Sequence, residues 1–194
     1  MNIWLTSDNH FRHENIYRFT SSPGGPRVRE RFKDATEGDA FMVQAWNERV
    51  RPQDHIWHLG DVTMERSSDM KKWFVAFMKQ LHGHKRLVLG NHDHFTTDVY
   101  RDAGFQKIRG VHKLENLILS HVPLHQSSVP RWCIANVHGH IHEKPSPAGP
   151  YVNVSVERTG YAPIALEDVT AEAERLKKLY APEVDLGGNP IGGL

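Results

Sequence analysis

The sequence is poor in cysteine, with only Cys133 among its 194 residues. A single thiol cannot close a disulfide within the chain, and no motif beside it marks a nucleophile. We therefore expect Cys133 to be a packed thiol, and we expect no thiol-based redox chemistry.

The sequence also lacks a long apolar run, so no segment reaches the length that a bilayer span requires. The first residues, MNIWLTSDNH, carry no basic region, and their apolar run stops at Ser7 and Asp8, which argues against a secretory signal. We expect a cytoplasmic protein with no membrane partner. Because the formal net charge is only +1, charge alone indicates neither a nucleic-acid nor an acidic partner.

Length and composition fit one ordinary domain. With 39% hydrophobic and 24% charged residues, the chain resembles soluble globular proteins and is long enough to bury a continuous core. We expect a single domain over residues 1–181. Residues 182–194 include LGGNPIGGL, which has too little apolar content to pack, and they are predicted to form a mobile tail.

Hydrophobic periodicity predicts strands that alternate with helices. The clearest helix runs from Ser67 to Leu81, because its apolar side chains recur at spacings of three and four residues. Other helices are predicted at 15–19 (a short turn), 40–50, 97–103 and 167–179, and residues 20–39 are predicted to form a surface loop that either flanks a site or is simply solvated. Strands are predicted at 2–7, 54–59, 85–89, 105–111, 117–120, 134–137, 151–156 and 163–166, the last two in a second sheet. This order predicts an α/β sandwich of two sheets covered by helices.

What the sequence has in excess is histidine, with 14 residues, and imidazole binds transition metals and transfers protons near neutral pH. Five short segments carry metal-ligand residue types, each directly after a predicted strand, where α/β proteins generally place their sites. These segments contain Asp8 and His10, Asp61, Asn91 and His92, His121, and His140 and His142. Each segment alone is weak evidence, since Gly-Asp is commonly a turn and a single histidine is commonly a core residue. Their joint occurrence at five strand ends predicts one metal site.

The five segments, in this order, resemble the signature of the calcineurin-like metallophosphoesterase superfamily: D-x-H, G-D, G-N-H-[DE], H and G-H-x-H. The resemblance covers roughly residues 2–169. It implies a four-layer αββα sandwich of two mixed sheets flanked by helices, with two metal ions at the sheet edge. It further implies that Asp61 bridges the two ions, that Asp8, His10 and His142 complete one site, and that Asn91, His121 and His140 complete the other.

The chemistry of such a centre explains these residue types. Two cations roughly 3.5–4 Å apart, bridged by a carboxylate, can hold a hydroxide that attacks phosphorus in line. Mixed nitrogen and oxygen ligands favour manganese, with iron, zinc or nickel as alternatives, over calcium. An acid must protonate the departing oxygen, and His92 fits that role because it follows a ligand without being one. Asp93 either orients the His92 ring or is a turn residue.

Several neighbouring residues have two interpretations. In HGHIH, the family's glycine precedes its first ligand, so His138 is predicted to support the ligands from behind or to be simply packed. Arg12 stands where similar sequences tend to carry glycine; it either contacts a substrate phosphate or is solvated. His13 and His94 are further candidates for substrate contacts.

The sequence therefore predicts a metal-dependent phosphoesterase whose substrate is a phosphodiester or a small nucleotide, with nucleic acid as a further possibility. The chain has no room for large recognition domains, which argues against protein substrates. One alternative is a noncatalytic metal-binding scaffold of the same fold, but such a scaffold has no use for His92. Another is a structural-zinc nucleic-acid module, although its ligands would come from compact Cys/His pairs and not from five distant segments.

Overall fold

The computed structural model describes residues 1–181 and contains two β-sheets. The first sheet has five strands in the order β4-β3-β2-β1-β9. Strands β1 to β4 are parallel, whereas β9 pairs antiparallel with β1 at the edge. The strands are β1 (Ile3–Thr6), β2 (His55–His58), β3 (His84–Val88), β4 (Phe105–Arg109) and β9 (Ile164–Ala165).

The second sheet has four strands in the order β5-β6-β7-β8, in which β5 is antiparallel to β6 and the other pairs are parallel. Its strands are β5 (Val111–Leu114), β6 (Leu117–Ser120), β7 (Ala135–His138) and β8 (Tyr151–Asn153). The two mixed sheets with their helices confirm the predicted α/β fold class.

Five α-helices accompany the sheets in the described part of the chain: α1 (Ala35–Arg49), α2 (Lys71–Lys79), α3 (Thr97–Asp102), α4 (Val156–Thr159) and α5 (Leu166–Leu179). Short 3-10 helices cover Glu14–Tyr17, Ser68–Met70 and Gln126–Ser128. None of the helices within residues 1–181 has both the length and the apolar character to cross a membrane.

The core has two main parts because successive strand residues face opposite sides of the first sheet. Ile56 packs with α1, α2 and α3 on one face, whereas its neighbour Trp57 packs towards the second sheet on the other. The predicted apolar stripe packs against the core: Phe74, Met78 and Leu81 are buried, and Met70, Trp73 and Phe77 are partly buried. Cys133 is buried, and burial raises the pKa of its thiol.

Four local predictions are wrong in detail. Helix α1 begins at Ala35, inside the predicted loop, because Asp34 caps it by accepting a hydrogen bond from the Glu37 amide at 3.0 Å. The strand predicted at 105–111 is two strands in different sheets. The strand predicted at 151–156 ends at Asn153 and is followed by α4, and the strand predicted at 163–166 belongs to the first sheet. The predicted mobile tail, 182–194, lies outside the described residues.

Candidate metal centre

The five predicted segments all follow strands, namely β1, β2, β3, β6 and β7. Their side chains meet at the carboxyl ends of these strands. Two groups of three residues can each hold a metal ion, since one ligand atom from each member lies within 4.8 Å of the others. One group is Asp8, His10 and His142, and the other is Asp61, His121 and His140. All six are among the seven residues that the resemblance assigned to the two sites, and Asn91 is the seventh.

Asp61 lies between the two groups. Its Oδ2 atom is 3.6 Å from Nε2 of His10 and 3.3 Å from Nε2 of His121. Asn91 joins the second group, with its Oδ1 atom 2.9 Å from Nε2 of His121. Among residues 1–181, Asp61 is therefore the one residue whose carboxylate lies within 4 Å of a histidine ring nitrogen from each group.

The backbone at the cluster adopts an uncommon conformation. Left-handed φ values occur at five candidate ligands: Asp8 (59°), His10 (49°), Asp61 (58°), His140 (70°) and His142 (52°). Residues other than glycine rarely adopt this region. Those that do are concentrated at functional sites, where the surrounding structure holds them in place. Here the loops after β1 and β2 hold each other, because the Asp8 amide donates to the Gly60 carbonyl at 3.0 Å and the His10 amide donates to the Asp61 carbonyl at 3.1 Å.

Two glycines allow the carboxylates to approach the backbone closely. A Cβ atom at position 90 would overlap Oδ1 of Asp61, and a Cβ atom at position 139 would overlap Oδ2 of Asp8. The glycines that precede Asn91 and His140 are thus required by carboxylate packing.

Charge and burial prepare these side chains to bind cations. Burial works to raise the pKa of Asp61, but the hydrogen bond and charge of His121 outweigh it and hold this pKa below its usual range. Burial lowers the pKa of His10 well below its ordinary value, so the ring is neutral. Both ring nitrogens of His10 are buried without a hydrogen-bond partner. A neutral, unpartnered imidazole beside carboxylates is the state that a metal ligand requires, so the donor set fits divalent cations.

A buried ion pair between Arg29 and Glu157 contacts His142, a member of the first group. Oε1 of Glu157 lies 3.1 Å from Nδ1 of His142 and accepts hydrogen bonds from Arg29, with Nε and Nη2 both at 2.8 Å. The Arg29 guanidinium also donates to the carbonyls of Asp8, at 2.7 Å, and Asn9, at 2.9 Å. Because carboxylates that bond a ligand histidine fix its ring and raise its basicity, Glu157 orients His142.

The sequence-based reasoning missed this support. Arg29 lies in the segment predicted to be a surface loop, yet its side chain is fully buried. Ser155, whose Oγ donates to Oδ2 of Asp8 at 2.9 Å, was missed together with Glu157. A signal for the last two did exist, since they closely follow strand β8 in the same way as the other site residues follow theirs.

Asp93 does not bond the side chain of His92. Its two carboxylate oxygens accept hydrogen bonds from the amides of Asp61, Val62 and Gly90, at 2.8 to 3.0 Å. The hydrogen bonds of Asp93 thus go to loop amides and none goes to the His92 ring, which favours the turn interpretation of Asp93 over the orienting one. Asp93 instead ties the loop after β2 to the loop after β3.

A cavity of about 590 Å³ opens over the cluster. His92 lines it beside His10, with ring centroids 5.7 Å apart, and the His92 amide donates to Oδ1 of Asp61 at 2.8 Å. His13 lines it too, with its ring 5.7 Å from that of His10. His92 and His13 can thus both reach a molecule bound over the ligands.

Arg12, His94 and His138 do not line this cavity. The Arg12 guanidinium lies 3.5 Å from Oε1 of Glu65 and over the Trp73 ring, so a substrate contact would require it to leave both. The ring of His94 is packed edge-on against that of His92 at 5.9 Å.

His138 is fully buried, and its ring nitrogens lie 2.8 Å from the Gly139 carbonyl and 2.9 Å from Oγ of Ser146. Burial lowers the pKa of His138 to about 4. The packed interpretation of His138 therefore agrees with its surroundings.

Comparison with known proteins gives relatives of similar size and shorter local matches. The chain is 28% identical over 181 residues to an uncharacterized protein of Methanocaldococcus jannaschii, covering 90% of this chain and 93% of that one. It is 33% identical over 92 residues to the gene 66 protein of Mycobacterium phage L5, covering 47% of this chain and 40% of the phage protein.

Two solved structures are also similar. The crystal structure of a protein of unknown function from Aquifex aeolicus matches with a TM-score of 0.64 and 25% identity, covering 88% of this chain and 98% of that one. A nuclease of Pseudomonas putida matches with a TM-score of 0.46 and 18% identity, covering 72% of this chain and 61% of that one. Residues 1–177 match the family model described as calcineurin-like phosphoesterase, so the chain belongs to this family of metal-dependent phosphoesterases.

Proposed function

We propose that this protein is a dinuclear phosphoesterase that hydrolyses a phosphodiester or a small nucleotide. The observation that carries the proposal is the position of Asp61, whose Oδ2 atom faces His10 at 3.6 Å and His121 at 3.3 Å. A carboxylate shared by two sets of ligands is the arrangement that a two-metal site needs.

The chemical types of the candidate ligands indicate which cations would bind. Asp8, His10 and His142 would hold one ion, Asn91, His121 and His140 would hold the other, and Asp61 would be shared. When bound, the two cations would supply an activated water and offset charge on the phosphoryl oxygens. We propose manganese, with iron, zinc and nickel as alternatives, because the donors mix imidazole nitrogen with carboxylate and amide oxygen.

The protein itself supplies the proton for the leaving group. We assign this role to His92, whose ring lines the cavity and whose backbone amide is held by Oδ1 of Asp61 at 2.8 Å. The same carboxylate thus sets the position of the acid relative to the ligands. His13 lines the same cavity and is our candidate for contact with the substrate.

The first experiment is a hydrolysis screen with manganese-loaded protein. Model phosphomonoesters, phosphodiesters, nucleotides and short oligonucleotides are compared, with Asp61→Asn as the inactive reference and Glu172→Gln, on the exposed face of α5, as the matched control. Hydrolysis of diesters or nucleotides by wild type and Glu172→Gln, but not by Asp61→Asn, supports the proposal. A protein that binds two metals and hydrolyses none of these compounds would instead be a noncatalytic scaffold.

The second experiment isolates the acid. In His92→Asn, metal content should remain at wild-type level, while turnover falls with increasing leaving-group pKa across a series of esters. Alkyl or ribose esters should lose on the order of 100-fold, because an alkoxide needs the proton, whereas p-nitrophenyl esters should lose little. An equal loss across the series would indicate that His92 binds the phosphoryl group, and loss of a metal would make it a ligand.

A further inference from the structure

The cavity above the candidate metal ligands is lined by apolar side chains as well as by histidines. We call this surface the Phe19 wall; it consists of Ile16, Phe19, Val28, Met64 and Ile141, all of which line the same cavity as His10, His140 and His142. A metal-bound phosphate needs no apolar surface, so the wall is available to the organic part of a substrate.

Phe19 is the most unusual member of this wall because 54% of its surface is exposed. Among the exposed large apolar side chains of residues 1–181, Phe19 alone lines the cavity. Trp132, which is 49% exposed, is packed against the Lys113 ammonium and lies elsewhere. Its position in the lining of a cavity over the candidate ligands makes the Phe19 ring accessible to a bound molecule.

The backbone around Phe19 is held in place by hydrogen bonds across a turn. The Phe19 carbonyl accepts from the Val28 amide at 2.9 Å, and Thr20 and Arg27 form an antiparallel bridge. On the inner side, the Phe19 ring packs edge-on against the His13 ring with centroids 6.0 Å apart. The ring therefore stands beside the ligand cluster on a closed hairpin.

The rest of the cavity indicates what Phe19 contacts. Three polar residues, Thr20, Ser21 and Lys144, line the same cavity, and its volume of about 590 Å³ is within the range of small-molecule sites. An alkyl chain offers no hydrogen-bonding group to these polar residues. A flat ring that carries donors and acceptors on its edge satisfies both the aromatic face and the polar groups.

We propose that the Phe19 wall binds the base of a nucleoside phosphodiester, by stacking on Phe19, while its phosphate lies at the ligand histidines. This inference rests on the proposed function and names the substrate class of the same site. Aromatic side chains that stack single bases are widely used in recognition of nucleotides and single strands, and they tolerate different bases.

The test compares two diesters with the same p-nitrophenyl leaving group, one carrying thymidine through its 5′-phosphate and one carrying ethyl. Manganese-loaded wild type should have a higher kcat/KM for the thymidine ester. In Phe19→Ala the ratio of the two kcat/KM values should fall about 10-fold, mainly through KM, and Phe19→Trp should restore it. Trp132→Ala, which removes a similarly exposed aromatic ring outside the cavity, should keep the wild-type ratio. Equal kcat/KM for both esters in wild type, or an unchanged ratio in Phe19→Ala, would overturn the inference.

A binding measurement separates failure of this inference from failure of the proposed function. Calorimetry compares thymidine 5′-monophosphate with inorganic phosphate on manganese-loaded wild type and Phe19→Ala. The Kd of the nucleotide should rise about 10-fold more than that of phosphate when Phe19 is removed. If neither ester is hydrolysed but this difference is present, the proposed hydrolysis is wrong and the base site stands. If hydrolysis occurs and the difference is absent, the base site is wrong and the hydrolysis stands.

Discussion

Glu157→Gln perturbs the metal centre without replacing a candidate ligand. Glutamine keeps the Oε1 acceptor that faces Nδ1 of His142 at 3.1 Å, but it removes the negative charge that faces Arg29 at 2.8 Å. The side chain of Arg29 is fully buried and that of Glu157 is 2% exposed, so water cannot replace the lost charge. Leaving one member of a buried ion pair uncompensated costs roughly 3–5 kcal/mol.

Two measurable losses follow from this geometry. The Tm should fall by on the order of 10 °C, since about 1 kcal/mol shifts Tm by about 2–4 °C in a domain of this size. Affinity for the ion at Asp8, His10 and His142 should fall by about 10- to 100-fold, the usual effect of removing a carboxylate that supports a ligand histidine. Glu157→Ala should lose more affinity than Glu157→Gln, because it also removes the acceptor that orients His142.

The assay is titration of metal-free protein with manganese, followed by calorimetry and by elemental analysis of the loaded protein. Glu172→Gln is the matched control, because Glu172 also pairs with an arginine, Arg175, but on the exposed surface of α5. That variant should keep wild-type metal affinity and Tm. Wild-type metal affinity in both Glu157→Gln and Glu157→Ala would refute the inference that Glu157 positions His142.

Three further predictions concern the centre and its surroundings. Chelation should lower Tm and abolish turnover, since saturation at 100 times Kd contributes about 2.7 kcal/mol per site; unchanged melting and activity, with metal absence confirmed by elemental analysis, would contradict the two-metal interpretation. Asp61→Asn should reduce turnover and metal content far more than Arg12→Ala, because Asp61 faces both ligand groups; two retained metals and near wild-type turnover would mean that the bridge is misassigned. Burial lowers the pKa of His58 to about 3, so between pH 6.5 and 3 the unfolded chain binds a proton that the folded chain does not. Stability should therefore decline with falling pH by up to about 1.4 kcal/mol per pH unit from this residue, and urea unfolding at pH 7 and pH 5 should show a smaller decline in His58→Gln.

The ligand positions could be predicted from the sequence because each depends on local features. Asp8, Asp61, Asn91, His121 and His140 each follow a strand that hydrophobic patterning can locate, and strand ends of such sheets converge. Gly90 and Gly139 carry further information, since their missing Cβ atoms make room for Asp61 and Asp8. The residue types and their order are therefore enough to predict the metal centre before any tertiary contact is known.

Partners distant in sequence could not be predicted in this way. Arg29 and Glu157 are 128 positions apart, and nothing in their spacing relates a loop near the start of the chain to a short helix near its end. The same applies to β9, whose two residues read as a strand but whose partner, β1, lies about 160 positions earlier, so its sheet cannot be assigned from pattern.

The sequence by itself determined which residue types stand at the candidate centre, their order along the chain, their places at strand ends and the position of His92 directly after Asn91. Only the tertiary structure decided how that chemistry is held and what surrounds it. It assigned Asp93 to three backbone amides and not to His92, buried Arg29 against Glu157, and turned Arg12 towards Glu65 while Phe19 faces the cavity. The physical reason is that ligand identity is set by bonds within a few residues, whereas side-chain direction and burial depend on contacts between segments that only folding brings together.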